Sequence, residues 1–359
     1  MSLDHVPAPE PSAPAFSDRL LDTLNASSVG LMISVGHRTG LFDTLGDGAW
    51  DSSAGIARRA HLDERYVREW LGAMVTGKIV DSDPEGRRYR LPPEHAAFLT
   101  RAAAPNNFAA FMQYIALLGG VEDQIVDCFR NGGGVPYSAF ARFHEVMAED
   151  SGQTVLPALT SHILPLVPGA LEQLDRGIDV LDLGCGSGRA INQMARAFPR
   201  SRFRGVDFSA QAIQSARGEA DRLNLTNVRF DVADAAAFDE REAYDLITTF
   251  DAIHDQAAPA RVLGNIQRAL RPHGSYLMQD ISGTSHLEKD VAHPAGPFLF
   301  TVSTMHCMTV SLAAGGAGLG TMWGEETAKR MLGEAGFTQV TVHRLAHDFQ
   351  NMYLVVRKD

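Results

Sequence analysis

A glycine-rich loop carries the strongest chemical signal in the chain. The loop reads Gly184-Cys185-Gly186-Ser187-Gly188, follows a short apolar run at 179–183, and has Asp182 two positions before its first glycine. Glycines adopt positive φ angles and let the backbone approach a ligand closely, and the first turn of a following helix offers unpaired N–H groups. The spacing therefore predicts a ligand-binding turn between a strand and a helix.

Two further acids follow the next two apolar runs. Asp207 ends the run 202–207, where a carboxylate can accept hydrogen bonds from both hydroxyls of a ribose, and Phe208 beside it can lie against a purine base. Asp234 comes shortly after the run 228–232. Acids at the carboxyl ends of three successive strands are what an adenosine site at a topological switch point requires.

A histidine after the fourth run is the candidate acid–base group. His254 follows Phe250 and Asp251 and precedes Asp255. Because imidazole titrates near neutral pH, His254 can accept a proton from the hydroxyl of a substrate that is being modified. Asp255 can assist the orientation of the imidazole ring. Two other interpretations stay open. His254 could contact the ligand or cap a helix, or the reaction could need no base because positioning suffices.

Alternating apolar runs and helical stretches must position these residues. The runs lie at 179–183, 202–207, 228–232, 245–250 and 275–280. Their alternation with helical segments predicts βαβ units and a parallel sheet. Runs at 338–345 and 351–357 are joined by a turn too short for a helical crossover, so we expect that pair to be antiparallel. The predicted fold class is α/β, a doubly wound, mostly parallel, seven-stranded sheet.

Residues 16–100 have a different pattern. Ser52 and Asp63 can each cap a short helix, and two short strands are predicted at 78–80 and 89–91 around a turn. Helices followed by such a hairpin indicate a winged helix. We predict a flexible tail at 1–15, a winged-helix domain at 16–100, a helical linker and pocket wall at 101–170, and a ligand-binding domain at 171–359 whose lid spans 283–324.

Two segments without acidic or basic residues, His aside, at 102–121 and 291–324, predict the wall of an apolar pocket. Such a wall favours a small, largely apolar acceptor. His306 is expected to be a buried, hydrogen-bonded histidine, and a second base is the alternative. The candidate pocket residues are Phe111, Tyr114, Phe298, Met305, His306 and Trp323.

The loop at 182–188 and the acids after it resemble the first motifs of class I S-adenosylmethionine-dependent methyltransferases. The segments GLFDTL at 40–45 and YRLPP at 89–93 are similar to the N-terminal dimerisation domain of plant-type O-methyltransferases. The pattern also resembles bacterial two-domain methyltransferases with an Rv2258c-like winged helix. The resemblance implies S-adenosylmethionine as cofactor, S-adenosylhomocysteine as product, and a homodimer formed through the N-terminal domain.

The resemblance also implies roles for individual residues. Asp182 and the loop backbone would hold the amino acid end of the cofactor, Asp234 the adenine amino group, and the N–H of Ala235 a ring nitrogen. His254 takes the place of the family's catalytic histidine, whereas Met322 stands where that family has a glutamate that orients it. The predicted cofactor-binding residues are Asp182, Gly184, Cys185, Gly186, Gly188, Asp207, Phe208, Asp234, Ala235, Phe250 and Asp251.

The expected function is methyl transfer to a hydroxyl of a small acceptor. The alternatives are N- or C-methylation by proximity alone, or a winged-helix regulator or pseudoenzyme that senses the nucleoside. An NAD dehydrogenase fits less well, because it favours GxGxxG spacing. The net charge of −11 argues against nucleic acid and membrane surfaces as partners. Three scattered cysteines without CxxC spacing predict reduced thiols, a cytoplasmic location and no metal site.

Overall fold

A computed structural model describes residues 13–348 and 350–358, and the chain divides into two compact units, 1–116 and 117–359. The predicted tail at 1–15 lies outside the described residues up to position 12, and residues 13–15 begin the first helix. The division at 116 falls inside the segment that we expected to be a helical linker.

The first unit consists of helices and one small hairpin. Its elements are α1 Ala13–Thr39, α2 Leu41–Leu45, α3 Ser53–Ala60, α4 Glu64–Thr76, β1 Asp81–Ser82, β2 Tyr89–Arg90 and α5 Pro93–Leu99, and α6 Gln113–Gly119 spans the division. Ser52 and Asp63 cap α3 and α4 as predicted. The first strand lies after 78–80, because the N–H groups of Ile79 and Val80 bond to the Met74 carbonyl and close the end of α4.

The second unit contains one large sheet with helices around it. Its strands are β3 Asp179–Leu183, β4 Arg202–Asp207, β5 Val228–Val232, β6 Tyr244–Phe250, β7 Leu270–Ile281, β8 Val340–His343 and β9 Asn351–Arg357. Its helices are α7 Glu122–Asn131, α8 Phe143–Gln153, α9 Val155–Ala158, α10 Ala170–Arg176, α11 Arg189–Ala197, α12 Ala210–Arg222, α13 Pro259–Ala269, α14 Leu287–Asp290, α15 Gly296–Val302, α16 Met308–Ala313 and α17 Gly324–Glu334.

The strand order is β5-β4-β3-β6-β7-β9-β8. Strands β3 to β7 are mutually parallel, and β9 runs antiparallel to both β7 and β8. The predicted fold class is therefore confirmed, including the antiparallel pair at the end. Alternate residues face opposite sides, because successive side chains of a strand point away from each other. Val180 belongs to the apolar layer that includes α11 and α12, and Leu181 to the layer that includes α13 and α17.

The chain reverses its direction of winding between β3 and β6. It runs outward from β3 to β4 and β5, then returns to place β6 on the other side of β3. Ligands of doubly wound proteins bind at such a switch point, in the crevice beyond the carboxyl ends of the strands. The topology thus places the ends of β3, β4, β5 and β6 at one edge.

The predicted lid, 283–324, consists of short helices. It contains α14, α15, a wide turn at Ser303–Cys307 and α16. Within the described residues no single helix has the length and apolar character of a membrane span. One bent pair, Phe143–Leu166 followed by Ala170–Arg176 at 103°, meets the requirement by length and composition only.

Candidate functional site

The glycine loop joins β3 to α11 at the switch point. Gly184, Gly186 and Gly188 have positive φ angles of 77°, 52° and 70°, which residues with a Cβ rarely adopt. The N–H of Gly184 donates to the Val206 carbonyl at 2.8 Å and ties the loop to β4. A Cβ on Gly188 would lie 2.7 Å from the Phe230 ring, whereas one on Gly186 would meet nothing within 4 Å. Gly188 therefore serves packing, and Gly186 faces open space.

A cavity of about 530 Å³ lies beside this loop, a volume typical of small-molecule sites. All the predicted cofactor-binding residues except Gly188 line it, and they come from the ends of β3, β4, β5 and β6. The lining residues in this set are Asp182, Gly184, Cys185, Gly186, Asp207, Phe208, Asp234, Ala235, Phe250 and Asp251.

Asp182 is a buried carboxyl group that lines the cavity. The Thr248 hydroxyl donates to it at 2.8 Å. Burial raises the pKa of Asp182 to about 7, the charge of Asp207 adds to this rise, and the hydrogen bond from Thr248 opposes it. A cationic group in the cavity would favour the ionised form of this carboxyl.

Asp207 and Asp234 hold local turns and also face the cavity. Asp207 accepts hydrogen bonds from the N–H groups of Gly186 at 2.9 Å and Ser209 at 2.8 Å. Asp234 accepts one from the N–H of Ala236 at 2.8 Å. Each carboxylate has about four lone-pair positions, so both keep capacity for the hydroxyl or amino groups of a ligand.

His254 lies behind the cavity wall. It is only 2 % exposed and does not line the cavity, whereas its neighbour Asp255 does. Its Nδ1 lies 2.7 Å from Oδ1 of Asp280, at the end of β7, and its Nε2 lies 3.2 Å from Oδ1 of Asp255. The Asp280 carboxylate also accepts the indole N–H of Trp323 at 3.1 Å and the backbone N–H of Ile281 at 2.8 Å. Asp280 therefore fixes the orientation of the imidazole ring.

The two carboxylates control the charge of His254. Burial alone would lower the pKa of His254, but the charges of Asp280 and Asp255 raise it well above its ordinary value. Burial raises the pKa of Asp255, and the charge of His254 opposes that rise. The arrangement favours an imidazolium between two acids. Of His254, Asp255 and Asp280, only Asp255 is among the residues that line the cavity.

The predicted acceptor-pocket residues do not line this cavity. Phe111 and Tyr114 belong to the first unit, and the cavity is formed by the second. Phe298 and Met305 are half-buried within the predicted lid. Trp323 is buried and is connected to the site through its hydrogen bond to Asp280.

His306 is fully buried, but it differs from the hydrogen-bonded histidine that we expected. Its ring stacks on Phe143 with a centroid distance of 3.5 Å and an interplanar angle of 4°. Neither ring nitrogen has a hydrogen-bond partner among the described residues. Its Nδ1 lies 3.9 Å from Oδ2 of Asp255.

The sequence analysis placed a pocket wall within 101–170 but did not single out the residues that form the apolar wall of this cavity. Tyr137, Phe143, His144 and Met147 line the cavity from the segment around α8, and Val310 lines it from α16. No local motif marks them, because helical packing alone brings them to the site. The sequence analysis also did not name Asp280 as the partner of His254, although Asp280 is an acid at the end of the fifth strand. Met322, at the position where the family has its orienting glutamate, packs instead in an apolar cluster with Ile281 and Leu299.

Comparison with known proteins identifies both parts of the chain. Residues 27–101 match the family of Rv2258c-like winged helix-turn-helix domains, and residues 174–336 match a methyltransferase domain family. A malonyl-(acyl-carrier protein) O-methyltransferase of Bacillus cereus is 29 % identical over 39 % of this chain and 44 % of its own length. The (S)-coclaurine N-methyltransferase of Papaver somniferum is 28 % identical over 30 % of this chain and 31 % of its own. The chain thus spans less than half the length of these curated relatives.

Solved structures resemble nearly the whole chain. Human N-acetylserotonin methyltransferase, solved in complex with S-adenosylmethionine, has a TM-score of 0.68 at 18 % identity and covers 95 % of this chain and 97 % of its own. An O-methyltransferase family protein from Burkholderia thailandensis has a TM-score of 0.69 at 16 % identity, with coverage of 97 % and 98 %. At these identities the likeness establishes the fold. The two family matches show an Rv2258c-like winged-helix domain followed by a methyltransferase domain, the arrangement of a two-domain S-adenosylmethionine-dependent methyltransferase.

Proposed function

We propose that the protein transfers a methyl group from S-adenosylmethionine to a hydroxyl of a small, largely apolar acceptor. The observation that carries this proposal is one cavity at the switch point that combines the glycine loop, three acids and the Asp255 carboxylate. An enzyme of this kind needs a nucleoside site and an acceptor site that meet in one space. A shared space for cofactor and acceptor would equally allow N- or C-methylation by proximity alone. The acid–base pair favours a hydroxyl as the methylated group, because a hydroxyl must lose a proton.

The residues present fit the cofactor. Asp182 would face its cationic amino acid end, since a buried carboxyl is stabilised in its ionised form by a positive charge. Asp207 has acceptor capacity for the ribose hydroxyls, and Asp234 for the adenine amino group. Phe208 is 56 % exposed at the cavity edge, where its ring can lie against a base. When bound, the cofactor supplies an electrophilic methyl group on a sulfonium.

Proton removal is assigned to the His254–Asp255 pair. The acceptor hydroxyl would give its proton to Asp255, which lines the cavity, as its oxygen takes the methyl group and the bond from that group to the sulfonium breaks, leaving a neutral thioether. Burial raises the pKa of this carboxyl and so makes it a stronger base than an exposed aspartate. His254 at 3.2 Å stabilises the ionised carboxylate before the transfer, and Asp280 holds His254 in place.

The acceptor would contact the apolar wall formed by Tyr137, Phe143, Met147 and Val310. Tyr137 also packs edge-to-face on Phe208, with ring centroids 5.3 Å apart, so one aromatic surface continues from the nucleoside side to the acceptor side. Such a wall favours a small aromatic or aliphatic acceptor over a strongly charged one.

We assign the winged helix to contact between two copies of the chain. Leu20, Leu21 and Leu24 on α1 are 54 %, 57 % and 64 % exposed. On α4, where a DNA-reading helix would need free cations, Arg65 pairs with Glu69 at 2.5 Å and Arg68 lies 3.6 Å from Glu64. Contacts with DNA phosphates require arginines and lysines that are not neutralised by neighbouring acids.

The test has a binding arm and a transfer arm. Unfolding of the full chain is followed with S-adenosylmethionine, S-adenosylhomocysteine and NAD, where a ligand at a hundred times its Kd adds about 2.7 kcal/mol. Methyl-labelled cofactor is then incubated with a panel of phenols and aliphatic alcohols. Stabilisation by both sulfur nucleosides, with labelled product formed from a hydroxyl acceptor, supports the proposal. No stabilisation by either nucleoside refutes it. Stabilisation by the nucleosides without methyl transfer to any acceptor, combined with salt-sensitive binding to duplex DNA, favours the alternative function of a winged-helix regulator that senses the nucleoside.

A further inference from the structure

His306 is a buried imidazole whose hydrogen-bonding capacity is unused. Its side chain is fully buried, and neither ring nitrogen has a hydrogen-bond partner within the described part of the chain. Burying a polar group without a partner is costly, so native proteins contain few such groups and each one calls for an explanation. Proton removal as assigned above uses His254, Asp255 and Asp280 and leaves His306 without a role.

The backbone around His306 forms a wide helical turn. Residues Ser303–Cys307 make one turn of π-helix between α15 and α16, closed by a hydrogen bond from the N–H of Met308 to the Ser303 carbonyl. Such turns widen a helix locally and are frequent at functional sites. His306 and Cys307 are buried, whereas the first three residues of the turn are half-buried. The turn therefore directs two adjacent side chains inward.

Aromatic rings fix the plane of the His306 imidazole. Phe143 stacks on it with ring centroids 3.5 Å apart and 4° between the planes. Phe140 and Tyr137 contact it edge-to-face at centroid distances of 4.6 Å and 5.3 Å. Offset stacking is favoured over perfect face-to-face packing, so a small shift of the imidazole within its own plane keeps the contact with Phe143 favourable. The ring is held against tilting but is free to slide.

Asp255 is the group that this ring can reach. Nδ1 of His306 lies 3.9 Å from Oδ2 of Asp255, about 1 Å longer than a hydrogen bond. The other oxygen, Oδ1, lies 3.2 Å from Nε2 of His254, so imidazole rings flank the carboxylate on both of its oxygens. Hydrogen bonds to an ionised carboxylate are shorter and about twice as strong as neutral ones. Ionisation of Asp255 therefore favours a slide of His306 into hydrogen-bond distance.

His306 can donate this hydrogen bond without carrying a charge. Burial lowers the pKa of His306 well below its ordinary value, and the charges of His254 and His144 lower it further. A neutral imidazole has one N–H and one lone pair, and the tautomer with its proton on Nδ1 presents the N–H to Asp255. The other titratable groups around these two side chains are Tyr137, His144, His254, Asp280 and Cys307.

We propose that His306 is a positioning residue, which donates a hydrogen bond from Nδ1 to Oδ2 of Asp255 once that carboxylate is ionised and holds it ready to accept the proton of the acceptor. This inference rests on the proposed role of Asp255 in methyl transfer. His254 supplies charge on one side of the carboxylate, and His306 supplies a neutral donor on the other. Without that donor the ionised form is less stable, so the pKa of Asp255 rises and its basic form appears only at higher pH.

Two substitutions in the full chain separate the donor from the stack. His306→Phe keeps a ring against Phe143 and removes both nitrogens, whereas His306→Asn keeps a side-chain N–H and loses the ring. We expect His306→Phe to retain or raise Tm, and to move the acidic limb of the kcat–pH profile up by about one pH unit, which lowers kcat about tenfold on that limb. His306→Asn should lower Tm and keep the limb near its wild-type position. Thr304→Val is the matched control, because it removes a hydroxyl from the same turn, and it should leave the profile unchanged.

A measurement without turnover keeps this inference separate from the proposed function. The ¹³C NMR signal of the Asp255 carboxyl group, assigned with Asp255→Asn, follows its titration directly, and His306→Phe should raise the midpoint by about one pH unit. An unchanged midpoint in His306→Phe would overturn the role of His306, as would a larger change of the midpoint in His306→Asn than in His306→Phe. A raised midpoint in a protein that methylates no acceptor would support the hydrogen bond and refute the proposed function.

Discussion

The buried carboxyl of Asp182 should make cofactor binding depend on pH. Its pKa rises from an ordinary value of 3.8 to about 7, chiefly because the group is buried. Below pH 7 the free protein holds a proton there. A cationic amino group placed against it favours the carboxylate, so binding must release that proton. We therefore expect S-adenosylhomocysteine to bind about tenfold more weakly at about pH 6 than at about pH 8, one proton being released per ligand at the lower pH.

The same shift fixes the sign of the stability effect in the ligand-free protein. Because the folded pKa lies above the unfolded one, the contribution of Asp182 is fully present below about pH 4 and is lost as pH rises through 7. At about 1.4 kcal/mol for each pKa unit, the loss is on the order of 4 kcal/mol. Asp182→Asn should therefore raise the free energy of unfolding at about pH 8 while weakening ligand binding.

Isothermal titration calorimetry in two buffers of different ionisation enthalpy measures both the affinity and the released proton. Asp182→Asn should remove the pH dependence, and Asp207→Asn should move its midpoint to lower pH, because the charge of Asp207 contributes to the raised pKa. A wild-type Kd that stays constant from about pH 6 to about pH 8 would refute the reasoning, as would an equal pH dependence in Asp182→Asn.

Three further predictions concern the base, the loop and the N-terminal helix. Asp255→Asn should lower kcat by about 10²-fold or more with little change in S-adenosylhomocysteine affinity; equal losses in both would indicate a structural role. Gly188→Val should lower Tm by several degrees, because a Cβ there would lie 2.7 Å from the Phe230 ring. Gly218→Ala, on the exposed face of a helix where a Cβ meets nothing within 4 Å, should leave Tm unchanged or raise it. Leu24→Glu should halve the molar mass found by light scattering, and a wild-type monomer would contradict the predicted dimer.

The residues proposed to hold the nucleoside could be assigned to one edge of the sheet from the sequence, because their determinants are local. Strand β3 and the loop after it are contiguous, and Asp207 and Asp234 each follow a strand whose limits are visible as an apolar run. A parallel sheet brings the carboxyl ends of such strands to one edge whatever the rest of the chain does. The winged-helix strand at 78–80 was misplaced because the hydrogen bonds that close α4 take precedence over the apolar character of Ile79 and Val80.

The individual residues of the apolar wall proposed for the acceptor could not be predicted, because they depend on how helices pack. Phe143 and Met147 are one helical turn apart on α8, and their spacing alone fits a core helix equally well. The segments without charge were correctly recognised as apolar, but apolar character does not say which cavity a helix covers. Val310, from the predicted lid, lines the cavity, whereas Phe298 from the same lid does not.

Asp280 explains how the predicted lid and the acid–base pair are connected. One oxygen of this buried carboxylate accepts the Trp323 indole N–H and lies 2.7 Å from Nδ1 of His254. Trp323 lies at the end of the predicted lid, immediately before α17. A movement of the lid that breaks the indole hydrogen bond would leave the Asp280 carboxylate with one donor fewer. The hydrogen bond that this carboxylate accepts from His254 would then become stronger. The orientation and charge of His254 are therefore coupled to the position of Trp323, although neither residue lines the cavity.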